Sequence, residues 1–209
     1  MFSFGEVQDF LEALDSMPEE SINYHVCLKV LLFTGVRIGE MNGLRWSDID
    51  FEKRLVHVKR NKQYSPKLGV YEKEPKTKNS VRDIPIPSAL YEALIEYREW
   101  FRVADNHFDE KLDEYYLAAG VDRQPLHPLT LRTVLTRFET RNGFKHVSCH
   151  GLRHTYCSLL LAQNVPIQTV SKYMGHADSI TTLKVYSHFI HDTQEKVIDA
   201  LDSNTKKKP

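Results

Sequence analysis

Apolar residues recur every three to four positions over several stretches of this chain, and that spacing predicts amphipathic helices. The first stretch follows Ser3 and Glu6, which are three residues apart and are typical of a capping box at a helix start. Gly35 follows the second stretch, where a helix end favours a left-handed residue. We expect helices at about 4–15, 20–34, 37–44, 88–101, 130–140, 150–163 and 166–175, and two short ones at about 179–187 and 189–201.

Between residues 52 and 86 the pattern changes to short apolar runs that alternate with polar positions, which is typical of strands. The runs lie at 55–58, 70–71 and 81–86, and the polar residues 73–80 read as a turn before the last of them. We therefore expect a meander of three antiparallel strands at one edge of a mainly α-helical α+β domain.

The composition suits one domain in a reducing compartment. The chain has 209 residues, of which 41% are hydrophobic, and this is enough for a single core. No apolar run approaches the roughly 20 residues that cross a bilayer, and the N-terminus lacks a signal segment. Cys27, Cys149 and Cys157 form no disulfide or zinc-ribbon pattern. These features predict a cytoplasmic protein without a membrane partner.

The formal net charge is zero, but the charges are segregated along the chain. Residues 52–83 carry ten basic and four acidic side chains, and residues 123–154 carry six basic and one acidic. Acidic residues are in excess at 1–51 and 84–122. A neutral chain with this distribution can present one basic face to phosphates. Solvated faces that cancel each other would give the same counts, so charge alone does not decide.

Two arginine motifs contain side chains that suit an anion. His150 and Arg153 are three residues apart, so they share one face of a helix near its start, where backbone N–H groups favour negative charge. Arg37 follows Gly35 and can form an ion pair with Glu40 on the next turn. Arginine presents a planar fork that matches a phosphate group. The two motifs together predict a phosphate-binding site.

A tyrosine and a lysine could add chemistry to such a site. Tyr186 lies ten residues beyond His176, in a polar segment rather than in an apolar stripe. A phenol has a pKa near 10, so its attack needs a proton acceptor and a strongly electrophilic phosphorus. The arginines would activate the phosphorus, and either His150 or Lys76 would accept the proton. This set points to a DNA phosphodiester as substrate and to a phosphotyrosine as intermediate.

A metal site is the alternative interpretation of the histidines. His150 and His154 are four residues apart, as in zinc proteases, but Gly151 stands where that motif has its glutamate. No nearby cluster of cysteines or carboxylates completes a ligand set. We therefore expect no metal.

In chain order the motifs resemble those of the tyrosine recombinase (phage integrase) family. They read Thr-Gly-x-Arg-x-x-Glu at 34–40, Lys-Thr-x-x-Ser-x-Arg-x-Ile-Pro at 76–85, His-x-Leu-Arg-His-Thr at 150–155, Gly-His at 175–176 and Thr-Thr-x-x-x-Tyr-Ser-His at 181–188. The resemblance extends over about residues 3–200. Its style is similar to the integrases of phages and integrative elements.

The resemblance implies a catalytic role for six residues. Tyr186 would be the nucleophile, and Arg37 and Arg153 would hold the non-bridging oxygens of the scissile phosphate. His150 would take the phenol proton. Lys76 would protonate the departing 5′-hydroxyl. The reaction would need no cofactor, because the phosphotyrosine bond conserves the energy of the broken diester.

The sixth catalytic residue is His176, which would contact the phosphate. Two supporting residues complete the implied site, and of these Glu40 would support the active site. His154 would contribute packing support rather than direct chemistry.

The resemblance also implies a fold, a domain plan and partners. Residues 1–202 would form the catalytic domain, and 203–209 a frayed basic tail, with the N-terminal core-binding and arm-binding domains absent from this chain. The partners would be double-stranded DNA attachment sites and accessory DNA-bending or directionality proteins. The full-length protein would act as a homo-tetramer on DNA, and this chain alone would be a monomer. Its location would be the cytoplasm, with the nucleoid as the site of DNA binding.

The implied function is that of a site-specific recombinase, an integrase that cleaves and rejoins DNA through a 3′-phosphotyrosyl intermediate. A chromosome-dimer resolvase or a strand transferase like type IB topoisomerases would use the same chemistry. A DNA-binding regulator without catalysis is a third alternative. The segment at 193–201 could dock on a neighbouring protomer or fold back on its own core.

Overall fold

Seven of the nine helices that the apolar spacing predicts are present, with small shifts at their ends. They are α1 (Phe4–Asp15), α2 (Ile22–Thr34), α3 (Ile38–Gly43), α4 (Ser88–Ala104), α5 (Thr130–Asn142), α6 (Cys149–Ala162) and α7 (Ile167–Met174). The structure is a computed structural model that describes residues 1–73 and 80–176. The helices expected at 179–187 and 189–201 and the tail at 203–209 lie outside the described residues.

The start of α1 and the end of α2 have the local structure that the sequence predicts. The Ser3 hydroxyl accepts a hydrogen bond from the Glu6 backbone N–H, and the Ser3 backbone N–H donates to the Glu6 carboxylate at 2.6 Å. This capping box satisfies N–H groups that the first turn of α1 would otherwise leave without partners. Gly35 ends α2 in the left-handed conformation, with φ of +59°.

Helix α2 lies at the centre of the domain. Most of its side chains are buried, and it packs against α1, α4, α5 and α6. A helix that is apolar on all sides has no solvent face and therefore becomes the core of a helical domain. The consequence for function is that Gly35 and Arg37 follow directly after the central, most deeply buried helix.

The strands form two separate units. They are β1 (Ile49–Asp50), β2 (Leu55–Val58), β3 (Asn61–Ser65), β4 (Gly69–Lys73) and β5 (Arg82–Pro85). A three-stranded antiparallel sheet has the order β1-β2-β5, and β3 and β4 form a hairpin of their own. The domain is thus mainly α-helical with a small three-stranded antiparallel sheet, as predicted.

The predicted meander is wrong in its strand order. Residues 70–71 lie in β4, which pairs with β3 rather than with β2. Strand β2 instead pairs directly with β5, so that Val56 lies opposite Ile84 with both side chains buried. The physical reason is burial, because β2 and β5 each present apolar residues to the core whereas β3 and β4 are mostly polar.

An aromatic cluster organises the segment between α4 and α5, which the expected elements leave unassigned. Trp46, Tyr97, Phe101 and Phe108 are buried, with ring centroids 5.0–5.4 Å apart for the pairs in contact. These side chains hold an irregular chain that contains one short 3-10 turn, Phe108–Glu110. Within residues 1–73 and 80–176, no helix has both the length and the hydropathy that a bilayer span requires.

Candidate active site

A cleft with a volume of about 550 Å³ lies between α3, β3, α5 and the start of α6. Its lining includes two of the predicted arginines and one predicted histidine, Arg37, Arg153 and His150. Arg132 and His146 also line it. The cleft therefore gathers cationic and imidazole side chains from segments more than 90 residues apart in the chain.

Glu40, the predicted ion-pair partner of Arg37, holds the Arg37 side chain in place. Its guanidinium Nη1 donates to Glu40 Oε1 at 2.9 Å, and its backbone N–H donates to Glu40 Oε2 at 2.7 Å. The Arg37 side chain keeps 39% of its surface exposed, whereas that of Glu40 is buried. The carboxylate thus fixes the direction of the guanidinium while leaving part of it open to the cleft.

Arg153 is buried, with only 1% of its surface exposed. Its Nη1 donates to the carbonyl oxygen of Gly35 at 2.6 Å, and its Nη2 donates to the carbonyl oxygen of Met174. A charged group with so little exposure needs such partners to offset the loss of water. The contacts join α6 to the end of α2 and to the end of α7.

Arg82 donates hydrogen bonds to Glu40 of the candidate site, a role that the sequence motifs did not predict. Its Nη1 and Nη2 donate to Glu40 Oε1 and Oε2 at 3.1 and 2.8 Å, and its Nε donates to the carbonyl oxygen of Tyr173 at 2.6 Å. A signal for this was present in the alternating pattern of β5. Arg82 lies two residues from Ile84, so both side chains share the buried face of that strand.

Three arginines donate hydrogen bonds to backbone carbonyl oxygens at the C-terminal end of α7. The carbonyl oxygens of three successive residues, 173, 174 and 175, accept from Arg82, Arg153 and Arg37 respectively. The last carbonyls of a helix have no partners within the helix, and they lie at the negative end of its dipole. Cationic donors there satisfy both needs, and His176 follows immediately after this set.

His150 lies in the first turn of α6, which begins with a side-chain cap. Ser148 accepts a hydrogen bond from the Gly151 N–H at 3.1 Å. The rings of His150 and His154 contact each other edge to face, with centroids 4.5 Å apart. His150 is exposed on the cleft side, and His154 is partly buried behind it.

All three predicted histidines favour their neutral forms. Burial and the neighbouring Arg153 lower the pKa of His150 below its ordinary value. Burial, Arg153 and Arg37 lower the pKa of His176 to about 4, with further contributions from Arg82 and His150. The pKa of His154 is lowered by burial first and then by His150. A neutral imidazole can accept a proton at physiological pH.

A buried carboxylate on α5 holds the segment before α6. Glu139 accepts the Val147 backbone N–H at 2.9 Å and pairs with the His146 ring at 2.8 Å. Glu139 is buried, while the His146 side chain is mostly exposed at the edge of the cleft. The contacts fix the approach of the chain to the Ser148 cap.

Six of the eight predicted site residues lie near one another in the structure. They are Arg37, Glu40, His150, Arg153, His154 and His176. Lys76 and Tyr186 lie outside the described residues.

Comparison with known proteins identifies the family of this chain. Residues 1–192 match the family model described as the phage integrase family. The XerC-like tyrosine recombinase of Caldanaerobacter subterraneus subsp. tengcongensis is 30% identical over 94% of this chain and 54% of its own length. The transposase from transposon Tn916 of Enterococcus faecalis is 30% identical over 83% of this chain and 44% of its own length.

Solved structures show the same fold. The Tn1549 transposon integrase in complex with transposon right end DNA has a TM-score of 0.76 at 25% identity, covering 96% of this chain and 65% of that one. XerA recombinase has a TM-score of 0.67 at 23% identity, covering all of this chain and 65% of that one. The chain spans about half the length of the curated relatives that it matches. It belongs to the phage integrase family of tyrosine recombinases.

Proposed function

We propose that this chain is the catalytic part of a DNA strand transferase that cleaves and rejoins DNA through a 3′-phosphotyrosyl intermediate. The observation that carries the proposal is the shared cleft of Arg37, His150 and Arg153. Two arginines and a neutral imidazole suit a reaction in which negative charge develops on a phosphoryl group. Residues 1–202 would form this catalytic domain.

The proposed reaction assigns one step to each group. The phenol oxygen of Tyr186 bonds to phosphorus while the bond from phosphorus to the 5′-oxygen breaks. His150 takes the phenol proton, and Lys76 gives a proton to the departing 5′-oxygen. Arg37 and Arg153 hold the non-bridging oxygens and stabilise their charge in the transition state. Rejoining reverses these transfers, so no external energy source enters the cycle.

Three further residues have roles in this proposal, His176 as a catalytic residue and Glu40 and His154 as supporting residues. Glu40 orients Arg37 through two hydrogen bonds. His176 contacts the phosphate from the end of α7. His154 packs against the ring of His150 and limits its rotation.

The names of the relatives support DNA and mobile elements as the setting. They include transposases from two transposons and the ICEBs1 integrase of Bacillus subtilis. The Tn1549 integrase was solved with transposon DNA. We propose attachment sites in double-stranded DNA as substrate, a homo-tetramer of the full-length protein on that DNA, and a monomer for this chain alone. Accessory DNA-bending or directionality proteins would assist it, and it would work in the cytoplasm at the nucleoid.

A nicked suicide substrate tests the chemistry. The full-length protein should form a covalent adduct with such DNA, and Tyr186→Phe should abolish it. Tyr64→Phe is the matched control, because Tyr64 is an exposed tyrosine on β3 and should leave the adduct unchanged. DNA binding without any adduct would instead favour a regulator that has lost catalysis.

A second assay separates the recombinase classes. An integrase should join two unlike sites, whereas a resolvase should act on two copies of one site. Relaxation of supercoils without strand exchange would point to an enzyme that acts like type IB topoisomerases. Recombination confined to identical sites would contradict the integrase assignment while leaving the phosphotyrosine chemistry in place.

A further inference from the structure

We propose that Arg82 is a positioning residue that aligns Arg37 and Arg153 for the phosphate without touching it. The inference rests on the proposed strand-transfer function and deepens it. Arg82 lies on β5, whereas the two arginines that it would align lie beyond α2 and on α6. Two sets of contacts carry the inference, one through Glu40 and one through the end of α7.

The first set fills the hydrogen-bonding capacity of Glu40. Its Oε1 accepts from Arg37 Nη1 at 2.9 Å and from Arg82 Nη1 at 3.1 Å. Its Oε2 accepts from the Arg37 backbone N–H at 2.7 Å and from Arg82 Nη2 at 2.8 Å. A carboxylate offers about four acceptor positions, so this one is saturated. Because Arg82 binds through a rigid fork, it fixes the plane of the carboxylate on which Arg37 depends.

The contacts through Glu40 also determine the net charge of the groups around Arg37. The Arg82 and Glu40 side chains are 2% and 5% exposed, whereas that of Arg37 is 39% exposed. One carboxylate is therefore shared by two guanidinium groups, which leaves one positive charge. Without Arg82, Glu40 would neutralise Arg37 and the cleft would lose attraction for a phosphate. The buried cation thus lets Glu40 orient Arg37 without cancelling its charge.

The second set locates the end of α7. Arg82 Nε donates to the Tyr173 carbonyl, and the next two carbonyls accept from Arg153 and Arg37. Strand β5 is anchored by Ile84, which is fully buried opposite Val56 in β2. Arg82 therefore connects a fixed sheet to the helix end that the other two arginines share. A shift of that end would move both proposed phosphate contacts and His176.

The test compares variants that separate charge from geometry. Arg82→Lys keeps the charge but loses the planar fork, and Arg82→Met loses both. Arg98→Lys is the matched control. Arg98 lies on α4, away from these contacts, and donates two hydrogen bonds to Asp109 at 3.2 and 2.6 Å. Circular dichroism checks folding, and the full-length protein is used for DNA affinity and single-turnover cleavage.

The expected result for Arg82→Lys is a loss at the chemical step. Cleavage at saturating DNA should fall about 100-fold, as misplaced catalytic groups do, while the DNA Kd changes little. Arg98→Lys should cleave like the wild type. Wild-type cleavage by a folded Arg82→Lys would overturn the proposal.

A titration gives a second readout that does not depend on cleavage. Arg82→Met removes a cation close to His176, so the pKa of His176, followed by NMR, should rise. Arg82→Lys should leave it near the wild-type value. An unchanged pKa in Arg82→Met would overturn the electrostatic part. If the wild type forms no adduct, the proposed function fails, and this titration still tests the arrangement around Arg82.

A double variant covers the case in which Arg82→Met does not fold. Combining it with Glu40→Gln removes the buried carboxylate that has lost Arg82, which should restore folding. Because Arg82 acts in part through Glu40, Arg82→Lys combined with Glu40→Gln should lose less cleavage than the product of the losses in the two single variants. Losses that multiply fully would contradict a shared pathway.

Discussion

The guanidinium of Arg153 donates a 2.6 Å hydrogen bond to the carbonyl oxygen of Gly35, which lies 118 residues away in the chain. Gly35 has φ of +59°, and a Cβ atom there would lie 2.4 Å from the Tyr156 ring. The left-handed turn and the close ring leave room for glycine alone. The position that ends α2 therefore also supplies an acceptor that holds an arginine of the candidate site.

Replacement of Gly35 should affect stability and activity together. Gly35→Ala should lower the free energy of unfolding by about 3 kcal/mol, since the left-handed conformation costs about 1–2 kcal/mol and displacing the Tyr156 ring adds to it. The matched control is Gly143→Ala, where φ is +73° and a Cβ would meet nothing within 4 Å. It should cost only about 1–2 kcal/mol and should not slow cleavage. Urea unfolding measures both, and equal losses would contradict the role of Tyr156.

Arg37 and Arg153 should respond differently to removal. Arg153→Ala should lower the free energy of unfolding by about 3 kcal/mol, because the carbonyls of Gly35 and Met174 would lose buried donors. Arg37→Ala should change it by less than about 1 kcal/mol, since Arg37 is partly exposed and Glu40 keeps Arg82.

Both arginine variants should cut cleavage by amounts equivalent to about 3–4 kcal/mol of transition-state stabilisation. Urea unfolding and single-turnover kinetics on the same samples separate the two effects. An Arg153→Ala protein as stable as Arg37→Ala would contradict the structural role of the buried guanidinium.

Stability should fall on acidification from about pH 6.5 towards pH 4. Burial and the neighbouring cations lower the pKa of His176 to about 4 in the folded chain, against an ordinary value of 6.5. Between these values the unfolded state binds the proton and the folded state does not, so lowering the pH favours unfolding. The contribution is fully present above pH 6.5.

His176→Gln should remove its share of this pH dependence. Unfolding curves at pH 7 and at pH 4.5 measure the change in wild type and variant, and an identical drop in both would exclude His176 as a source. An NMR titration of the wild type should place its midpoint well below 6.5.

Arg132 should contribute to DNA affinity without specifying a sequence. It lies on the exposed face of α5 and lines the cleft beside Thr136. Arg132→Gln should weaken binding about equally for different duplexes and reduce the slope of log K against log salt by about 1. Arg102→Gln is the control, since Arg102 lies on α4 and pairs with Asp109 in the following 3-10 turn. A loss restricted to one sequence would indicate base contact instead.

Much of the fold was accessible from local patterns. The capping box at Ser3, the left-handed glycine after α2 and the apolar spacing of α4 to α7 each depend on neighbours within a few residues. Such features are written in short segments, so sequence spacing predicts them. The same holds for Arg37 with Glu40 and for His150 with Arg153, which are three residues apart.

The strand order and the role of Arg82 depended on distant contacts. Period-two spacing shows which face of a strand is buried but not which strand lies beside it, so residues 70–71 were assigned to the wrong partner. The alternating pattern places Arg82 on the buried face of β5. Its role depends on hydrogen bonds to Glu40, 42 residues away, and to Tyr173, 91 residues away.

The sequence by itself determined the seven described helices, the class of the domain and the residue types of the candidate site, because these follow from short-range spacing and side-chain chemistry. Only the tertiary structure decided that three arginines from separate segments meet three successive carbonyls at the end of α7. A helix end has acceptors that its own chain cannot satisfy, and burial of charged groups is tolerated only where such acceptors converge. That convergence is a property of packing and has no local signature in the chain.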